Sequence, residues 1–151
     1  MPLHLPKSLE NFLPWSQTEE RDIFAKRQCV FESNAEMVAV MACYGFHRTG
    51  GSIPSAKGMA FLPKEPIPFK TLKKSKTYNQ ILVMALAATK DPQVISDEDQ
   101  ICRIVEAFSD VGARELYERC VRWLPEAAFI EIAREILREL GDAHDEEDLK
   151  I

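Results

Sequence analysis

The chain has 151 residues, 46% apolar and 28% charged, with a formal net charge of −5. That size and balance fit one domain built on a single hydrophobic core. They leave no room for a helical membrane span, since the longest apolar run, Ile81–Ala88, is far short of about 18–20 residues, and they argue against a protein that coats nucleic acid non-specifically.

The first seven residues, Met1 to Lys7, lack a charged stretch followed by an apolar one, so no signal peptide is expected. Cys29, Cys43, Cys102 and Cys120 are scattered without C-x-x-C spacing and read as free thiols of a reducing cytoplasm. The stretch to Ser16 holds three prolines and reads as an extended arm, pinned to the body by Leu9, Phe12, Leu13 and Trp15. A short helix is expected from Thr18 through Phe24, and Gln28–Phe31 is too short to assign.

Ser33-Asn34-Ala35-Glu36 has the form of a capping box. The helix it opens, with Met37, Val38, Val40, Met41, Ala42 and Cys43, is apolar on nearly every side and belongs at the centre of the domain. It is expected to run to about Tyr44 and stop at Gly45. From Phe46 to Lys76, seven Gly and Pro positions predict a long connection without regular structure. Thr77-Tyr78-Asn79-Gln80 reads as a second capping box, opening a buried helix through Ala88 that Asp91-Pro92 ends.

Ser96-Asp97-Glu98-Asp99 starts a third helix whose acidic first turn suits the helix dipole. Ile101, Ile104, Val105 and Phe108 keep helical spacing, as do Leu116, Tyr117, Cys120, Val121 and Leu124 beyond Ser109-Asp110-Val111-Gly112. A kink or break is expected at 109–112. Pro125 suits the first position of a last helix with the stripe Phe129, Ile132, Ala133, Ile136, Leu137 and Leu140, closed by Gly141. Residues 142–151 read as a solvated acidic tail. The pattern specifies an all-α fold, a compact single-domain bundle of four to six helices over 1–141, with a long basic Gly/Pro-rich loop.

The charge is unevenly divided. Residues 47–76 carry seven basic side chains against one acidic, giving +6, whereas residues 95–151 carry 16 acidic against 7 basic, giving −9. Arg48, Lys57, Lys70, Lys73, Lys74 and Lys76 are the candidate contacts for nucleic acid or a partner protein, with Phe69 and Tyr78 placed to stack on unpaired bases. Two plainer readings stand beside this: a solvated lysine-rich linker, or a segment paired internally with carboxylates of the C-terminal half.

Other candidates are weaker. Cys43 and His47 are four apart, half of a metal site lacking two further ligands, and are better read as a core thiol beside a surface histidine. Gly50–Gly58 does not match G-x-x-x-x-G-K-[ST] and follows no strand pattern. Asp97, Glu98 and Asp99 serve as helix-start carboxylates. No catalytic set, metal or cofactor is expected.

The stretch from Val30-Phe31-Glu32-Ser33 through Met37-Val38 and Ala42-Cys43-Tyr44-Gly45-Phe46 resembles a family of small bacterial proteins that accompany DNA phosphorothioation gene clusters, the dnd system-associated small proteins. Glu65-Pro66-Ile67-Pro68-Phe69 and the helix Ile81–Thr89 followed by Lys90-Asp91 extend the likeness, which spans about residues 29–112. It implies a non-enzymatic accessory protein of a system that marks DNA with sulfur and restricts unmarked DNA. Its partners would be the larger modification or restriction proteins, DNA, or both. The alternative is a general helical protein–protein module, such as a homodimer joined through the Phe129–Leu140 stripe.

Overall fold

The computed structural model describes residues 2–13, 31–120, 134 and 136–138. It is an all-α domain. Among the described residues the α-helices are α1 (Asn34–Thr49), α2 (Phe69–Lys74), α3 (Tyr78–Thr89) and α4 (Glu98–Cys120), with 3₁₀ turns at Lys7–Asn11 and Pro92–Ser96. Strands β1 (Pro2–Leu3) and β2 (Ile67–Pro68) form a minimal antiparallel pair, with Leu3 opposite Ile67. The helix expected at 18–24, Trp15, Cys29 and the acidic tail lie outside the described residues. So does most of the last helix, of which Arg134 and Ile136–Arg138 are described and helical.

The centre of the fold is the packing of α1 on α4. Helix α1 buries Met37, Val38, Met41, Ala42 and Tyr44 against Ile101, Val105, Phe108 and Leu116. At its start, the Ser33 hydroxyl accepts from the Glu36 amide at 3.1 Å. The returning arm differs from the expected box, because Glu36 Oε2 accepts from the amide of Glu32 at 3.2 Å. Nor does α1 stop at Gly45. It continues through it to Thr49, and Gly50, with φ of 67°, is the left-handed cap that ends it.

Gly45 serves another purpose. A Cβ there would stand 1.9 Å from the carbonyl oxygen of Phe108, and one on Gly112 would stand 2.0 Å from the carbonyl oxygen of Met41. The two glycines face each other where α1 crosses α4, so the backbones approach as only glycine allows. Gly112 therefore marks a crossing, and α4 runs unbroken through 109–112. Asp97 Oδ1 accepts from the Gln100 amide at 3.1 Å to cap its first turn.

Two further expectations need correction. Residues 46–76 are not wholly irregular, since β2 and α2 form within them, Phe69 and Leu72 supplying a buried face at i, i+3 spacing. Helix α3 starts at Tyr78 without any side-chain cap; the Thr77 hydroxyl pairs with Ser75 Oγ at 3.1 Å instead. Moreover α3 is only half covered. Ile81, Met84 and Ala85 are buried, but Val83 is 65% exposed.

The arm is not simply extended. Pro2 to Lys7 lies antiparallel to residues 60–68, with the Leu62 amide donating to the Leu5 carbonyl at 2.8 Å and the Lys7 amide to the Ala60 carbonyl at 2.9 Å. It then turns into the 3₁₀ segment. Leu9, Phe12 and Leu13 are buried as expected, and Leu3 and Leu5 join them.

Candidate functional site

The six candidate cations occupy four places. Arg48 ends α1, Lys57 lies in the turn before Gly58, Lys70, Lys73 and Lys74 sit on α2, and Lys76 precedes α3. All six are exposed. They do not converge on one patch. Arg48 Nε donates to Glu115 at 2.7 Å and Lys73 Nζ lies 3.8 Å from Glu98, both carboxylates on α4. Seventeen residues of straight helix separate those carboxylates, about 25 Å at 1.5 Å per residue. Arg48 is accordingly remote from the α2 lysines.

Half of the set is paired within the chain. Besides Arg48 and Lys73, Lys76 Nζ lies 3.7 Å from Glu32. The acceptors Glu32, Glu98 and Glu115 have no signature in the sequence, because each meets its partner only through the tertiary fold. These are solvent-exposed pairs, each worth about 0.2–1 kcal/mol. They leave Lys57, Lys70 and Lys74 without an ion pair among the described residues.

Local folding explains how α2 presents its charge. Phe69 and Leu72 point inward, which turns Lys70, Lys73 and Lys74 outward. Lys70 and Lys74 are one turn apart on the same face and Lys73 is beside them. The helix dipole accounts for Lys73 and Lys74 in the last turn; Lys70, in the first turn, gains nothing from it. Like charges at this spacing destabilise a helix by a few tenths of a kcal/mol per pair, so an anion over the ridge would relieve real repulsion.

The aromatics behave differently from expectation. Phe69 is buried and meets Tyr78 edge to face, with ring centroids 6.0 Å apart. Lys73 Nζ lies 5.8 Å above the Phe69 ring. The pair is thus a hydrophobic footing for α2, and Phe69 offers no face for a base. Beside the ridge runs a groove of about 610 Å³ lined by Pro2, Glu65, Pro68, Lys70, Lys73 and Glu98. Glu65 and Glu98 beside Lys70 and Lys73 make the groove mixed in sign.

Two of the four cysteines are described, and both are sheltered. Cys43 and His47 line a cavity of about 250 Å³ with Ala39, Val40, Gln80 and Ile136. Burial pushes the Cys43 thiol up from its ordinary value, and pushes Cys102 up to about 11 with help from the charge of Glu106. Neither is a ready nucleophile near neutral pH. Among the described residues no group of three or more His, Cys, Asp or Glu is placed to hold a metal ion, and no helix is long and apolar enough to cross a membrane. Comparison with protein-family models, with curated proteins and with solved structures returned no match.

Proposed function

We propose that this chain is a non-enzymatic accessory protein of bacterial DNA phosphorothioation-linked modification or restriction, docking on DNA or on a larger protein of that system through its basic segment 47–76. The observation that carries the docking is the outward ridge Lys70, Lys73 and Lys74, two of whose lysines have no internal carboxylate among the described residues. The link to phosphorothioation rests on the resemblance over residues 29–112. A cytoplasmic site of action follows from that role. Arg48, Lys73 and Lys76 contribute less to docking than Lys57, Lys70 and Lys74, since an incoming anion must first compete with Glu115, Glu98 and Glu32.

The test is fluorescence anisotropy with a labelled duplex, with and without phosphorothioate, from about 50 to 200 mM salt. Affinity falling steeply with salt is expected, and a preference for one duplex would tie docking to the sulfur mark. Lys70→Glu with Lys74→Glu spares the internal pairs and should lower the salt slope by about one per lysine removed. Flat anisotropy at every salt would sink direct DNA docking and leave a protein as the partner.

A second reading, a helical protein–protein module, has its own support. Helix α3 carries no charged residue from Tyr78 to Thr89, and its exposed Val83 borders an apolar groove with Cys43, Phe46, Met84 and Ala87. Val83→Glu would separate the two readings, disrupting such an interface while leaving DNA retention intact.

A further inference from the structure

Between α1, the start of α3 and Ile136 of the last helix lies the cavity of about 250 Å³ that neither reading above uses. Its α1 wall is a single face, Ala39, Cys43 and His47 at successive turns with Val40 beside them. The residue types there explain why a space remains. Ala39 and Cys43 are short where a packed bundle would place a large apolar side chain. Thr77 holds its hydroxyl against Ser75, and Gln80 is exposed at the rim. None of the eight lining residues is Asp, Glu, Lys or Arg.

We propose that this cavity is a binding site for a small, uncharged aromatic molecule of one or two fused rings with at most one hydrogen-bonding group. Size sets the upper limit. An apolar void of about 150 Å³ inside a protein stays dry and takes up benzene, so this one has room for a second fused ring. Pockets for drug-sized ligands run to about 300–1,000 Å³, and the guest here is smaller than those.

Chemistry sets the rest. Water in the cavity meets mostly hydrocarbon and sulfur, and replacing poorly held water with an apolar group gains affinity. The burial that pushes the Cys43 thiol up also penalises any charged group placed beside it, which excludes ions. Buried Tyr44 and the Cys43 sulfur in the lining favour a ring over a chain, since aromatic edges and polarizable sulfur both pair well with a π system. The Gln80 carboxamide makes no hydrogen bond among the described residues. It supplies one polar contact at the rim, as a donor or as an acceptor. None of the ridge lysines lines the cavity, so its occupancy is read on the protein alone, apart from docking.

Indole is the probe, two fused rings with one N–H and no charge. Calorimetric titration into the full chain should give a saturable, one-to-one heat. Saturating indole should also slow alkylation of Cys43 by iodoacetamide several-fold, followed by peptide mass mapping. Indole-3-carboxylate, the same rings bearing a charge, should bind at least tenfold more weakly. Ala39→Leu fills the space and should abolish both the heat and the protection. Val40→Phe, at a half-buried position, fills it from the side and decides the matter if Ala39→Leu folds poorly. The proposal is overturned by the absence of a saturable heat, by Cys43 alkylation that indole does not slow, by equal binding of the carboxylate, or by binding that survives the filling substitutions.

Discussion

Gly45 and Gly112 set how closely α1 and α4 approach. At each, an added methyl group would collide with a backbone carbonyl of the opposite helix, Phe108 in one case and Met41 in the other. Backbone cannot rotate away as a long side chain would, so relief requires α1 and α4 to separate. Separation thins the packing of Val38, Met41, Val105 and Phe108, all fully or nearly fully buried. Gly45→Ala should therefore destabilise by about 3 kcal/mol or more, above the usual overpacking range. Gly112→Ala should do the same. The double variant should cost less than the sum, because the first substitution already opens the crossing. Urea denaturation measures all three; a loss below about 1 kcal/mol for Gly45→Ala would contradict the crossing. Nothing local identifies this role. A glycine after an apolar helical run normally marks an end, and only the partner helix shows why this one lies inside.

Each helix answers to its own boundary chemistry. Ser33 is the clearest case, since its hydroxyl satisfies the Glu36 amide that α1 would otherwise leave open. Ser33→Ala should lower stability by about 1 kcal/mol, and Ser33→Asp, which preserves an acceptor, should recover most of it in thermal or urea unfolding. Thr77 offers the contrast: with φ of −96° and ψ of 3° its backbone is not in the extended form a capping residue adopts, and its hydroxyl turns to Ser75. The same four-residue pattern thus caps one helix and not the other, because the entering chain has a different direction. Helix α2 is hidden among prolines because six residues are too few for periodicity to emerge. Its only signal is Phe69 and Leu72 three apart after Pro68. Helix α3 was legible as a helix but not in its orientation. A run apolar on every face has no polar contrast to show that Val83 would face outward.

At the scale of the molecule, the arm joins the two regions of opposite charge. Residues 2–7 pair with 60–68 on one side, and His4 and Ser8 bond to α4 on the other. Leu3, Leu5 and Leu9 are buried beneath this strap. At about 1.5–3 kcal/mol for each fully buried side chain, their removal approaches the whole net stability of a typical domain, about 5–15 kcal/mol. Deleting residues 2–9 should accordingly abolish cooperative thermal unfolding, whereas replacing exposed Lys7 should change it little. A deletion variant that still melted cooperatively near the wild-type temperature would show the arm to be an accessory.

The amino-acid sequence by itself determined the all-α class, the starts of α1 and α4, the apolar positions of the arm and the segregation of charge. These follow from periodicity, from capping side chains a few residues from the amides they satisfy, and from simple counting. Tertiary structure decided the rest. Arg48, Lys73 and Lys76 are drawn to Glu115, Glu98 and Glu32, so the six cations are divided and the α2 ridge stands apart. The contact of His4 with Glu106 spans 102 residues, and the glycine crossing joins helices whose backbones touch only once packed. Each depends on a distance that no local pattern encodes, because it is set by how close two helices come and not by what either one contains.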